Sequence, residues 1–291
     1  MPWNIVQKIH DVFFEIMQGL KIAISGKGGV GKSTVAAVWS RLLAEQNLPV
    51  YAIDADPDAN LAHALGMPKN IADTLKPLAA DDELIEQRTG ARRGRTGQIF
   101  SLTPDVADIA KKYAVQWKGV QVVVLGGIKK GGGGCACPES ALLKSLVRYL
   151  ILHENEIVIL DMGAGIEHLG RATAAGVDAL VAVTEPGTRS IETALHIRQL
   201  AADIGLSGRF FMLHNKVRDG SKSAEALKTV GPDVLSLGTI PFDERFITAD
   251  EERKSIFDLP DTSDILIPFK QSLEKLTAAA AARPKETKGK S

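Results

Sequence analysis

Lys21-Ile22-Ala23-Ile24-Ser25-Gly26-Lys27-Gly28-Gly29-Val30-Gly31-Lys32-Ser33-Thr34 decides the fold. Its first five residues predict a short buried strand. The glycine-rich part has the P-loop spacing: Gly26, four residues, then Gly31, Lys32 and Ser33. Glycines at 26, 28, 29 and 31 let backbone N–H groups turn inward around phosphate oxygens. Val30 completes the turn, and the helix predicted to open at Lys32-Ser33-Thr34 adds partial positive charge. In this pattern Lys32 contacts the β- and γ-phosphates and Ser33 ligates Mg²⁺. A strand before the motif and a helix after it are the context that makes the spacing specific.

Outward from this loop, short apolar runs alternate with amphipathic segments. Strands are predicted at 21–25, 50–54, 99–102, 120–125, 157–161, 179–184, 210–214 and 235–240. Val122-Val123-Val124-Leu125 and Ile157-Val158-Ile159-Leu160 are apolar on successive residues, so both faces of those strands must be covered. Between them lie stretches of helical spacing such as Leu142, Leu146, Tyr149 and Leu150. Strand–helix alternation predicts an α/β domain, a mostly parallel sheet with helices on both faces. We expect one domain over 21–277, an amphipathic extension over 1–20 and a charged tail over 278–291. Within the extension Ile5, Ile9, Val12, Phe13, Ile16 and Leu20 share one helical stripe. It could dock on a partner or a membrane surface; a helix packed on its own domain, or an upstream start preceding Met17, explains it more simply.

The composition narrows the function. The 291 residues carry 35 Lys+Arg against 35 Asp+Glu, which argues against a nucleic-acid clamp driven by bulk charge. With 45% hydrophobic and 24% charged residues the chain reads as an ordinary globular protein. No apolar run approaches the roughly 20 residues of a membrane helix. Without a recognisable secretion signal, the expectation is a cytoplasmic protein.

Two further strand ends carry carboxylates. Ile53-Asp54-Ala55-Asp56-Pro57-Asp58-Ala59-Asn60 follows the second strand, where α/β sheets bind ligands. Alternation places Asp54 and Asp56 on one face; Asp58 reads as a turn or helix cap. Ile157-Val158-Ile159-Leu160-Asp161 reads as a Walker B strand with Asp161 near Mg²⁺, and Met162-Gly163-Ala164-Gly165 as a mobile switch sensing the γ-phosphate. His214-Asn215-Lys216 ends another strand and offers Asn215 and Lys216 to a base. A guanine reader needs Asp at 218; here Arg218 stands there and Asp219 comes one position late, which argues for adenine.

Both cysteines of the chain lie in Gly131-Gly132-Gly133-Gly134-Cys135-Ala136-Cys137-Pro138. Residues i and i+2 of an extended segment face the same way, so the thiols converge. Two thiolates are half of a four-sulfur site, and a two-fold axis would complete it from a second chain. Such a site suits Zn²⁺, or Ni²⁺ in planar geometry. Inert packing, a redox pair and an iron–sulfur cluster are the competing readings. Glu167-His168 offers a further pair of metal donors, though a surface or hydrogen-bonded pair is the commoner explanation of a lone His beside Glu.

Lys27 is not required by the basic loop motif. With it, the loop resembles that of the deviant-Walker-A ATPases, the family of septum-placement, plasmid-partition and nitrogenase iron proteins. That resemblance implies ATP/ADP as ligand and an ATP-bound sandwich dimer in which Lys27 reaches the nucleotide of the facing subunit. It assigns catalysis to Lys27, Lys32 and Asp56, with Asp56 positioning the attacking water and Asp54 supporting the Mg²⁺ shell. It also sets residues 184–186 and 241–243, Pro241 among them, beside the base. The Cys-x-Cys segment, the Asp-Ala-Asp-Pro-Asp-Ala-Asn-Leu run and the Ala-Gly-Ile-Glu-His-Leu-Gly-Arg stretch narrow the resemblance to the CooC-type accessory ATPases of carbon monoxide dehydrogenase, over roughly residues 21–275. What it implies is a homodimer that couples ATP hydrolysis to nickel delivery, Cys135 and Cys137 of two subunits holding the metal and nickel carbon monoxide dehydrogenase being the client. A partition-type positioning ATPase and a maturation factor for acetyl-CoA synthase are the alternatives. One departure bears on the switch: family members often carry an acidic residue where Gly163 stands.

Overall fold

A computed structural model describes residues 19–92, 95, 97–126, 138–166, 169–231 and 233–282. Eight strands form one sheet: β1 (Lys21–Ser25), β2 (Val50–Ala55), β3 (Val115–Trp117), β4 (Val120–Val124), β5 (Ile157–Met162), β6 (Ala179–Thr184), β7 (Phe210–Val217) and β8 (Leu235–Pro241). Their spatial order is β3-β4-β2-β5-β1-β6-β7-β8. Every pairing is parallel except β3 with β4. Every residue of β1, β2, β5 and β6 is buried, as unbroken apolar runs require.

Alternate residues of these strands feed two cores. On one face Ile22, Ile24, Ala52, Ile159 and Val181 pack against the helices Lys32–Ala44 and Ser263–Ala281. There Trp39 is wholly buried and donates its indole N–H to the Phe269 carbonyl at 3.2 Å. On the other face Ala23, Ile53, Val158 and Leu180 meet the helices Asp82–Thr89, Pro138–Leu152 and Thr188–Asp203. Leu142, Leu146 and Leu150 form the buried stripe of the middle helix, with Tyr149 at its margin.

One expectation is corrected. Residues 99–102 form no strand: Ile99 is 96% and Leu102 65% exposed. The sheet instead gains β3, a three-residue antiparallel edge whose Trp117 donates to the Leu65 carbonyl at 3.0 Å. The last helix runs through the alanine stretch after Thr277 to Ala281. Among the described residues no helix is long and apolar enough to cross a membrane.

Register fixes the site. Ile24 and Asp54 are both paired with Asp161. The C-terminal ends of β1, β2 and β5 therefore lie side by side, at the edge where parallel sheets bind ligands.

Candidate nucleotide site

The glycine loop is shaped by close backbone approach. Gly26 has φ +152°, and a Cβ there would stand 2.3 Å from the Val183 carbonyl oxygen of β6. Gly31 has φ +93°, and a Cβ there would meet the Asn215 amide at 2.3 Å. Neither position admits another residue without moving backbone or a buried side chain. The helix Lys32–Ala44 then starts at Gly31 with no side-chain cap on its free N–H groups. An uncapped helix end beside a glycine cradle is a ready anion site.

Lys32 projects back over this cradle. It is only 5% exposed; its ammonium donates to the Lys27 carbonyl at 3.4 Å and lies 3.3 Å from Asp56 Oδ2. The structure thus brings together Lys32 and Asp56, two residues singled out from separate motifs. Lys27 is half-buried on the loop, and its ammonium pairs with no described residue. Asp56 also caps its own turn, Oδ1 accepting from the Asp58 N–H at 3.1 Å.

Asp54 and Asp161 are both fully buried neighbours. Asp54 accepts from the Leu61 N–H at 2.9 Å and the Asp56 N–H at 3.2 Å. Burial nevertheless pushes its pKa up to about 6, the backbone N–H groups only partly opposing it. Asp161 is pushed further, to about 8, by burial first and by the neighbouring Asp54 carboxylate second. The Ser33 hydroxyl lies close enough to pull that value down, yet no hydrogen bond of normal geometry reaches either Asp161 oxygen. Two buried carboxyl groups side by side, one with both oxygens unpartnered, either keep their protons or take up a cation. Oxygen donors beside a phosphate cradle fit Mg²⁺, which binds through few protein ligands and keeps its waters. Ser33, Asp54 and Asp161 are thus the residues that fit it. Among the described residues no cluster of three or more His, Cys, Asp or Glu is placed to hold a metal alone.

Asn215 and Lys216 close the cradle from β7. Asn215 is 6% exposed and donates to the Val30 carbonyl at 2.8 Å. Lys216 stands at φ +56° and its ammonium donates to the Gly29 carbonyl at 2.5 Å. Offered by the sequence to a base, both reach the loop backbone here. The preceding His214 hydrogen-bonds Thr184 Oγ1 through Nδ1 at 3.0 Å, and burial holds its pKa down, keeping it neutral. Pro241 ends β8 exposed, next to Phe242, whose ring carries the Arg218 guanidinium at 3.6 Å. Asp243 is engaged by Arg245, which also binds Asp264.

Sequence reasoning missed Ser25. This buried residue ends β1, and its hydroxyl lies 2.8 Å from the Gly163 carbonyl oxygen and 3.0 Å from that of Gly165. The available signal was one polar residue closing an apolar strand immediately before the loop. Cys135, Cys137, Glu167 and His168 lie outside the described residues, as does the extension up to residue 18.

Comparison with known proteins agrees with this geometry. Residues 21–256 match the family model of the CobQ/CobB/MinD/ParA nucleotide binding domain. The chain is 42% identical over 240 residues to the carbon monoxide dehydrogenase accessory protein CooC of Rhodospirillum rubrum, covering 82% of this chain and 90% of that protein. It is also 42% identical to an uncharacterized ATP-binding protein of Methanocaldococcus jannaschii, over 79% of this chain and 88% of that one. Among solved structures, the ParA family ATPase of Chlorobium tepidum superposes with TM-score 0.60 at 18% identity, over 88% of this chain and 98% of its own. The MinD cell division protein of Aquifex aeolicus gives 0.58 at 18%, over 87% and 96%. At that identity the two structures establish the fold alone.

Proposed function

The chain belongs to the CobQ/CobB/MinD/ParA nucleotide-binding family and is a P-loop ATPase of the CooC type, and on that premise we propose that it matures carbon monoxide dehydrogenase by delivering nickel. The observation that carries the proposal is the 42% identity, spread over 82% of the chain, to a protein named for that accessory role. The Cys-x-Cys segment supports nickel as cargo, because paired thiolates suit a soft or borderline ion.

The residues divide the work by chemistry. The cradle of Gly26, Gly28, Gly29, Val30 and Gly31, with the first N–H groups of the helix at Lys32, Ser33 and Thr34, binds phosphate oxygens. Asp56 neutralises Lys32 before nucleotide arrives. A γ-phosphate competes for the same ammonium, which releases Asp56 to orient a water for attack. Mg²⁺ held by Ser33 with Asp54 and Asp161 behind it would neutralise charge on the β- and γ-phosphates. Lys27 acts on the nucleotide of a second subunit, where a cation supplied in trans is worth on the order of 10³–10⁵ in rate in comparable phosphoryl transfer. Asn215, Lys216 and Pro241 border the adenine side of the site, with Asn215 and Lys216 also holding the loop.

In the dimer Cys135 and Cys137 of both copies hold one ion between them. The test is metal analysis of the purified protein with ADP and with a non-hydrolysable ATP analogue, alongside its molecular mass. One Ni²⁺ or Zn²⁺ for each dimer is the expected result. Cys135→Ser/Cys137→Ser should abolish metal binding and leave ATP binding intact; unchanged metal affinity would remove the cargo site from this proposal.

A further inference from the structure

We propose that Ser25 is the positioning residue of the switch, a fixed hydroxyl that holds the carbonyls of Gly163 and Gly165 and sets where the segment after Asp161 rests. The inference needs ATP hydrolysis alone and is independent of nickel delivery.

Three observations meet at this residue. First, Ser25 is held by its surroundings. It ends a strand paired on both sides, to β5 and to β6, and is fully buried. The next residue, Gly26, is wedged so closely against β6 that a Cβ would lie 2.3 Å from the Val183 carbonyl oxygen. Second, its hydroxyl faces two acceptors at 2.8 and 3.0 Å but carries one proton. It holds either carbonyl fully or both weakly, so the contact has two settings for a small sliding of the segment. Third, the held segment lies between two parts of the phosphate machinery. It follows Asp161, whose oxygens are unpartnered. At its first glycine, Gly163, an added Cβ would stand 3.6 Å from Pro57 Cδ and 3.9 Å from Asp56 Oδ2, so the segment lies about a methyl group's width from the turn that pairs with Lys32.

The consequence is directional. Filling the cradle draws on Lys32 and Asp56, and a shift of the Asp56–Pro57 turn changes the narrow space between that turn and Gly163. Ser25 is the post against which that shift is registered, by rotation of its hydroxyl, which moves its hydrogen bond from one carbonyl to the other.

The test is Ser25→Ala in the full-length protein, measured by hydrogen–deuterium exchange and steady-state kinetics. In the absence of nucleotide the peptide spanning residues 163–166 should exchange several-fold faster than in the wild type. In the variant a non-hydrolysable ATP analogue should no longer change that exchange relative to ADP. Turnover should fall about tenfold with KM within about twofold, since the phosphate cradle is untouched. Unchanged exchange at 163–166, or an intact response to the analogue, overturns the proposal. So does faster exchange spread over β1 and β6, which would make Ser25 a plain buried hydroxyl of the core. Because exchange is read without turnover, it still discriminates if the wild-type chain shows no ATPase activity, a result that would count against the enzymatic reading instead.

Discussion

Asp54 and Asp161 carry a measurable signature of an unmet charge. Both hold their protons to higher pH than an exposed carboxyl, to about 6 and about 8, because burial disfavours the anion. In the unfolded chain the same groups titrate near pH 4. From about pH 4 up to those values the folded protein therefore binds more protons than the unfolded one, and its stability must fall as pH rises. We expect the melting temperature of protein free of nucleotide and Mg²⁺ to drop between pH 5 and pH 8, by on the order of several degrees. Asp161→Asn should flatten that slope, and Mg²⁺ with nucleotide should oppose it in the wild type by supplying the missing cation. Thermal scans over that pH range with and without Mg²⁺-nucleotide decide it; a flat wild-type profile would mean that the carboxyl pair finds a partner by some other route. Asp161 was legible in the sequence as the polar end of an apolar strand. Its electrostatic predicament was not, since that depends on the register that sets it beside Asp54.

The glycine loop behaves as an element braced from outside. Asn215 fills the space that a side chain at 31 would need and donates to the Val30 carbonyl. Asn215→Ala leaves that carbonyl without its partner in a buried place, a loss of about 1–3 kcal/mol. We expect ATP affinity to weaken by about tenfold or more through a looser cradle, with turnover at saturation less affected; a fluorescent nucleotide titration and denaturant unfolding check the two effects separately. Elements were legible where both faces are buried, as in β1, β5 and β6, because unbroken apolar runs leave few alternatives. Legibility failed at 99–102, where Ile99 and Leu102 look like strand yet run exposed, and at β3, none of whose three residues is buried and which owes its conformation to pairing with β4. Strand propensity describes a side chain that fits a pleated surface; it does not say whether that surface is present. The bracing of the loop by Asn215 and Lys216 lay equally beyond the sequence, since about 185 residues separate the partners.

For the molecule as a whole, the open question is whether one chain is a complete catalyst. The described site gathers Lys32, Asp54, Asp56 and Asp161 from one subunit, while the Lys27 ammonium meets no described residue. If Lys27 serves the facing subunit, Lys27→Ala should keep ATP binding and lose most hydrolysis, whereas Lys32→Ala should lose phosphate binding itself. The two defects then sit on different chains of any one site. Mixing the inactive variants in equal amounts forms mixed dimers in which the Lys27→Ala subunit supplies Lys32 to its own nucleotide and receives Lys27 from its partner. Half of all dimers would be mixed, each with one repaired site of two, so activity should return to at most about a quarter of wild type. If Lys27 acts on its own nucleotide, neither chain of a mixed dimer can assemble a working site and no activity returns. Failure to recover activity, in a mixture shown by mass measurement to contain mixed dimers, would therefore confine the catalyst to single chains and overturn the action of Lys27 on the facing subunit.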